Sequence, residues 1–215
     1  MENNDIMIGD IKLSSLGLLL REVKITQPEA KRNLVDIPGR DNYLDFTEAF
    51  GAVYYYPRED NQIIADYVGD YDEWERVVSE LARAIQGKRL RLVLGWDQAF
   101  FYEGRFHITP SKKNDAVGEI KITATLDAYK KRCRETTVTI EISGEQEFVL
   151  RNLDEPVVPQ ITATGSITMT GNGETVELTP GTTASYQEFI LQAGNNTFSA
   201  SGSGTMTITY REGSL

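Results

Sequence analysis

The sequence is poor in the residues that carry most metal and covalent chemistry: among 215 residues there is one cysteine, Cys133, and one histidine, His107. One cysteine excludes an internal disulfide, and one histidine excludes the common zinc sets and makes any His-based catalytic arrangement depend on that residue alone. Long apolar runs are also missing. The longest aliphatic stretch, Leu16 to Leu20, is broken by Gly17 and falls far short of the ~20 residues that span a bilayer. The start, MENND, lacks the cationic end of a signal peptide, so neither a membrane nor a secretion route is expected. Positive charge is scarce, with 22 basic against 32 acidic residues and a formal charge of −10. Such a molecule repels nucleic acid and anionic lipid, which disfavours a DNA-gripping role.

What is present fits a folded protein, since 40% hydrophobic and 25% charged residues lie near the averages for globular domains. The length suits one large domain or two small ones. The two ends differ: residues 1–134 hold 20 Lys and Arg against 22 Asp and Glu, whereas residues 135–215 hold 2 against 10. From Arg151 onward there are 12 Thr, 6 Ser and 8 Gly, a composition of strands and turns. The expected organisation is a β-rich domain with one helix over 1–134, followed by a small β-sandwich over 135–215. The boundary falls within 135–155, and Pro156 and Pro159 mark the way into the second unit.

One segment has helical period. Asp72 is placed as N-cap with Glu75 as an acidic capping-box partner, and Gly87 ends the helix. At 100° per residue Trp74, Val78, Leu81 and Ile85 share a narrow stripe, so this face should dock on a sheet. Elsewhere the period is two: Ile120, Ile122, Ala124 and Leu126; Leu90, Leu92 and Leu94; Val138, Ile140 and Ile142; Ile161, Ala163, Ile167 and Met169; Met206, Ile208 and Tyr210. This pattern predicts antiparallel sheets with one wet face and a mainly β, α+β N-terminal fold class. Gly171-Asn172-Gly173, Gly194-Asn195-Asn196 and the run Ser201 to Gly204 are read as turns between the C-terminal strands.

None of the reactive side chains comes with the partners that catalysis requires. His107 has no nucleophile or carboxylate assigned to it by the sequence, and Cys133 follows Lys130, Lys131 and Arg132 without any cysteine motif, so both are read as structural or surface residues. Asp66, Asp70, Asp72 and Glu73 lack calcium-loop spacing and are assigned to helix capping. The glycine pairs have no helix after them, which rules out a phosphate loop. Tyr54 to Tyr56 and Phe100 to Tyr102 could stack on sugars or bases but equally fit strands, and no Trp follows residue 150 to form a sugar platform. Expectations are therefore no enzyme, no cofactor and no metal.

Read in order, several segments together resemble the distal tail protein (Dit) family of long-tailed bacteriophages and prophages. They are IPGRDNYLDFT at 37–47, with its turn Pro38, Gly39, Arg40 and Asp41; the strand before Arg58; the helix ending at Gly87; and the strands RLVL, FFYEGRFHIT and ITATLDAYKKR. In the second half they are NLDEPVVPQITATG at 152–165, LQAGNNTFSASGSGTMTI at 191–208 and the terminal YREGSL. Asp127-Ala128-Tyr129 stands where members often have Asp-Pro-Tyr, and the C-terminal part is shorter than in many relatives. The resemblance implies an N-terminal domain that assembles with copies of itself into a hexameric ring at the virion tail tip, made in the host bacterial cytoplasm, with a galectin-like, jelly-roll sandwich outside it. Implied partners are the tail tube protein, a tail-associated lysin or fibre-type protein and a receptor-binding protein, with DNA passing through unbound. A carbohydrate-binding β-sandwich module is the alternative reading.

Overall fold

The structure is a computed structural model that describes residues 4–49, 51–112 and 117–215; the first three residues of the MENND start lie outside the described residues. It divides into two compact units, Met1–Ala128 and Tyr129–Leu215. The division precedes the 134/135 position inferred from composition. The reason lies in β10 (Lys130–Arg132), which pairs with β17 (Gly213–Ser214) and so joins the basic stretch to the end of the chain.

The first unit holds β1 (Ile6–Ile8), β2 (Ile11–Lys12), β3 (Leu18–Lys24), β4 (Leu34–Val35), β5 (Leu44–Asp45), β6 (Arg58–Val68), α1 (Tyr71–Ile85), β7 (Arg89–Leu94), β8 (Asp97–Lys112) and β9 (Val117–Leu126). Its main sheet runs β2-β1-β7-β8-β9-β6-β3, antiparallel at each pairing, while β4 and β5 pair only with each other. The pleat sends alternate residues to opposite faces, so Ile120, Ile122, Ala124 and Leu126 face a core with Ile63, Ala65, Tyr67 and Phe106. On the opposite face, Arg21 of β3 holds Asp66 at 2.7 Å and also pairs with Glu119.

The helix closes this core. Trp74, Leu81 and Ile85 are buried and Val78 is half-buried at the flank, while Val77, outside the stripe read from the sequence, is buried as well. Val77 lies 60° to one side of Trp74 and Val78 40° to the other at ~100° per residue; the sheet covers the Val77 side. The Trp74 ring occupies the space where a Cβ on Gly118 would stand, 2.5 Å away, which ties helix to β9. The helix begins two residues before the start expected from sequence, since Asp70, not Asp72, is the N-cap. Asp72 and Glu73 instead occupy the first turn, where carboxylates complement the helix dipole. Glu73 accepts the Tyr67 hydroxyl at 2.9 Å.

The second unit adds β11 (Thr136–Asn152), β12 (Gln160–Ala163), β13 (Ile167–Gly171), β14 (Glu174–Leu178), β15 (Thr183–Ser185) and β16 (Gly194–Tyr210). β11 and β16 are both 17 residues long and pair along their whole length without a register shift. On the other side of β16, β13 pairs with its first half and β12 with its second. Phe198, Ala200, Met206 and Ile208 all share one parity and one core. A straight strand cannot bring both of its ends into one cluster, so the ribbon folds over on itself. The fold occurs where Gly144, Gly202 and Gly204 have φ of 87°, 128° and 145°.

Two turns expected from sequence are therefore strand. Gly194-Asn195-Asn196 opens β16, opposite Asn152, Arg151 and Leu150, and Ser201 to Gly204 lies in its middle. The glycines answer close approach rather than reversal: a Cβ on Gly202 would stand 2.1 Å from the Ser166 carbonyl oxygen. The third turn is real, with Asn172 and Gly173 at φ of 54° and 85° between β13 and β14, the type I′ geometry that favours Asn-Gly. The threonines lie between the core positions, on the outward face. Hydroxyls meet across strands at Thr162 and Thr183 (2.7 Å), Thr170 and Thr175 (3.0 Å) and Thr137 and Thr209 (3.4 Å), pairs that support a sheet from its wet side.

Two substitutions test this packing. Leu81→Ala should cost ~2–5 kcal/mol through lost transfer energy and a residual cavity, read from denaturant unfolding. Gly202→Ala should destabilise the second unit markedly while leaving the helical circular dichroism of the first in place, because the new methyl meets backbone that cannot rotate away.

Candidate functional site

Between β3 and β6 the chain leaves the sheet as an arm, residues 25–57. It is an antiparallel ribbon held by its own backbone: Tyr56 N–H donates to Glu29 O at 2.8 Å, Lys31 N–H to Tyr54 O at 2.7 Å, and Phe46 N–H to Asn33 O at 2.8 Å. Beyond these, β4 pairs with β5. At the tip Arg40 N–H reaches Ile37 O at 3.1 Å, with Pro38 next and Gly39 at φ 85°. This is a type II turn, in which proline presets the first central position and glycine supplies the positive φ of the second. Among the described residues of 25–57 none is buried. Leu34, Val35, Tyr43, Phe46, Tyr54 and Tyr56 are exposed by 42 to 63%.

A buried polar knot roots the arm. A bulge in β6 between Arg58 and Asn61, with Asp60 at φ 56°, reverses the strand's parity so that both residues turn inward, each about 1% exposed. Asn61 accepts the Thr26 N–H at 3.0 Å and donates to the carbonyls of Arg58 at 2.7 Å and Ala124 at 2.9 Å. Arg58 donates Nη1 to Thr26 O at 2.7 Å and Nε to Ala128 O at 2.9 Å, with its guanidinium 5.5 Å from the Tyr102 ring centre. Burial pulls the guanidinium below its ordinary value, and Tyr102 opposes that shift. Both ends of the arm, Thr26 and Arg58, are thereby fixed to the end of β9.

The residues singled out in the sequence fall into three places. Pro38, Gly39, Arg40 and Asp41 are all exposed and form the arm's tip. Trp74, Val78, Leu81 and Ile85 belong to the core of the first unit and do not meet the tip turn in a common site. His107 is exposed on β8 opposite Thr123, beside a shallow depression lined by Glu59, Asp60 and Gln62, and Cys133 is exposed. Among the described residues no group of three or more His, Cys, Asp or Glu is placed to hold a metal ion, and no helix is long and apolar enough to cross a membrane. The sequence reading missed Arg58 and Asn61 as a knot. Their only local signal is polar residues at the start of the apolar alternation Ile63, Ala65, Tyr67.

The geometry is that of two antiparallel β units, one carrying a ribbon with exposed apolar side chains. No protein-family model matches the chain, and no curated protein matches it in sequence. In fold it is similar to the crystal structure of the SPP1 Dit (gp 19.1) protein, described as a paradigm of the hub adsorption apparatus in phages that infect Gram-positive hosts. The likeness has a TM-score of 0.67 at 14% identity and covers 96% of this chain and 98% of that one. The resemblance to distal tail proteins read in the sequence therefore holds for the fold as a whole.

The knot gives a direct test. Asn61→Ala strips partners from Thr26 N–H and from two carbonyls and should cost ~1–3 kcal/mol. Hydrogen exchange followed by mass spectrometry should show faster exchange at the arm's base than at β9.

Proposed function

We propose that the protein is the structural hub of a bacteriophage or prophage tail tip: a hexameric ring of first units that joins the tail tube to tail-associated and receptor-binding proteins. The observation that carries this reading is the fold likeness to a hub adsorption protein over nearly the whole of both chains. The exposed apolar side chains of the arm support it further. The ring's role is mechanical, and no chemistry is assigned to it.

Charge fits the same role. A basic wall would gain affinity for phosphates through counterion release and hold the genome, whereas an acidic one lets a duplex slide. Residues 1–134 are near balance, with 22 Asp and Glu against 20 Lys and Arg, so a conduit of first units requires these charges to segregate, with Asp and Glu outnumbering Lys and Arg around its hole.

Light scattering and negative-stain microscopy of the purified chain, alone and with tail tube protein, should give closed rings with a central hole. These rings should not retard duplex DNA even at low salt, where surface charge acts over its longest range. A monomeric mass under every condition, or tight salt-sensitive DNA binding, would overturn the reading.

A further inference from the structure

Asn172 is the one asparagine in the chain that is followed by glycine. The type I′ turn accounts for the pair by its dihedral angles, but not for what the side chain does. The Asn172 amide nitrogen donates to Glu188 O at 2.8 Å and to Ile190 O at 3.1 Å, so each of its two protons has a carbonyl partner. Those carbonyls flank Phe189, which is buried and meets the Phe198 ring edge-on at 6.0 Å. Gly171, just before Asn172, stands so near the same ring that a Cβ there would lie 2.0 Å from it. The amide is thus a latch. It pins the β13–β14 hairpin to the segment carrying Phe189, beside the aromatic part of the second unit's core.

An asparagine before glycine has a chemistry of its own, because glycine has no side chain to hinder attack by its backbone nitrogen. The Gly173 nitrogen loses its proton and bonds to the Asn172 Cγ; the Cγ–Nδ2 bond breaks, and ammonia leaves with the proton that the backbone gave up. Water then opens the five-membered ring at one of its two carbonyls and leaves aspartate or isoaspartate. The sum is amide and water to carboxylic acid and ammonia, with no oxidant or reductant. Two features of the closed hairpin oppose the first step. In a type I′ turn the asparagine has ψ of ~30°, which turns the Gly173 nitrogen away from the side of Cβ and out of reach of Cγ. The two hydrogen bonds also hold the leaving nitrogen toward Glu188 and Ile190.

We infer that Asn172 is a deamidation site gated by this latch: protected while the hairpin is closed, converted when it opens, and unable to close again afterwards. An ionised carboxylate accepts hydrogen bonds but donates none, so at position 172 it would face the carbonyl oxygens of Glu188 and Ile190 with no proton to share. Local opening does not require the whole unit to unfold. When opening and closing outrun the chemistry, the rate of conversion follows the population of the open form. The modification therefore records how often the hairpin has opened, and it then fixes the open form. Nothing in this inference depends on the hub reading.

The test incubates the full chain in mildly alkaline buffer and follows conversion at Asn172 by peptide mapping with isoaspartate detection, in the folded chain, in urea below the unfolding transition, and in the unfolded chain. Conversion should be at least ~10-fold slower folded than unfolded and should quicken in urea before global unfolding begins. Hydrogen exchange of two variants tests the closure. Asn172→Gly keeps the positive φ and removes the latch, whereas Asn172→Asp puts the carboxylate in its place. Exchange across 186–191 should be faster than in the parent for both and fastest for Asn172→Asp. Equal conversion in folded and unfolded chains would overturn the gating, and no conversion even when unfolded would remove the site. Parent-like exchange in Asn172→Asp would mean that the latch closes again, which overturns the inference as well.

Discussion

The antiparallel register of the long strands is the constraint on which the structure depends. The side-chain period in a strand is two, so one slip would exchange the core face for the wet face along an entire strand. In the first unit the pairing of β6, β9 and β8 brings Ile63, Ile122 and Ile108 side by side. In the second, β11 and β16 keep their register through a fold in the ribbon, so Phe198 and Ile208 reach one core from its two halves. The glycines at the fold let the backbone turn without breaking that count.

Where register is broken, it is broken to a purpose. The bulge at Glu59 and Asp60 shifts the parity of β6 and turns Arg58 inward beside Asn61. Bulges re-aim side chains in this way at the margins of sheets. The resulting knot is costly to leave unsatisfied, because buried polar groups without partners lose water and gain nothing. It fixes the two ends of the arm, which has no core of its own.

The division of labour follows from these two facts. The sheet and helix of the first unit enclose a buried core of their own. The arm carries six exposed apolar side chains, Leu34, Val35, Tyr43, Phe46, Tyr54 and Tyr56, on a backbone-bonded ribbon. Such a segment is fixed at its root by the buried knot and exposed along its length.

The sequence by itself determined the antiparallel β character, the one helix with Trp74, Leu81 and Ile85 on its inner face, and the Asn172-Gly173 hairpin, because each is written in local period or in a turn that only certain residues adopt. The turn at Pro38 to Asp41 came from the family resemblance rather than from local period, and that it caps an arm was not contained in either. Tertiary structure decided the rest. Ser201 to Gly204 has turn composition yet lies within a strand, since the need for its glycines comes from Ser166 across the sheet. Arg58 and Asn61 look like polar residues at a strand's start, and only the bulge makes them a buried knot. The aromatics of the arm carry the same local signal as core aromatics. Whether such a side chain is buried depends on what the chain packs against it from elsewhere, and no residue-by-residue pattern contains that.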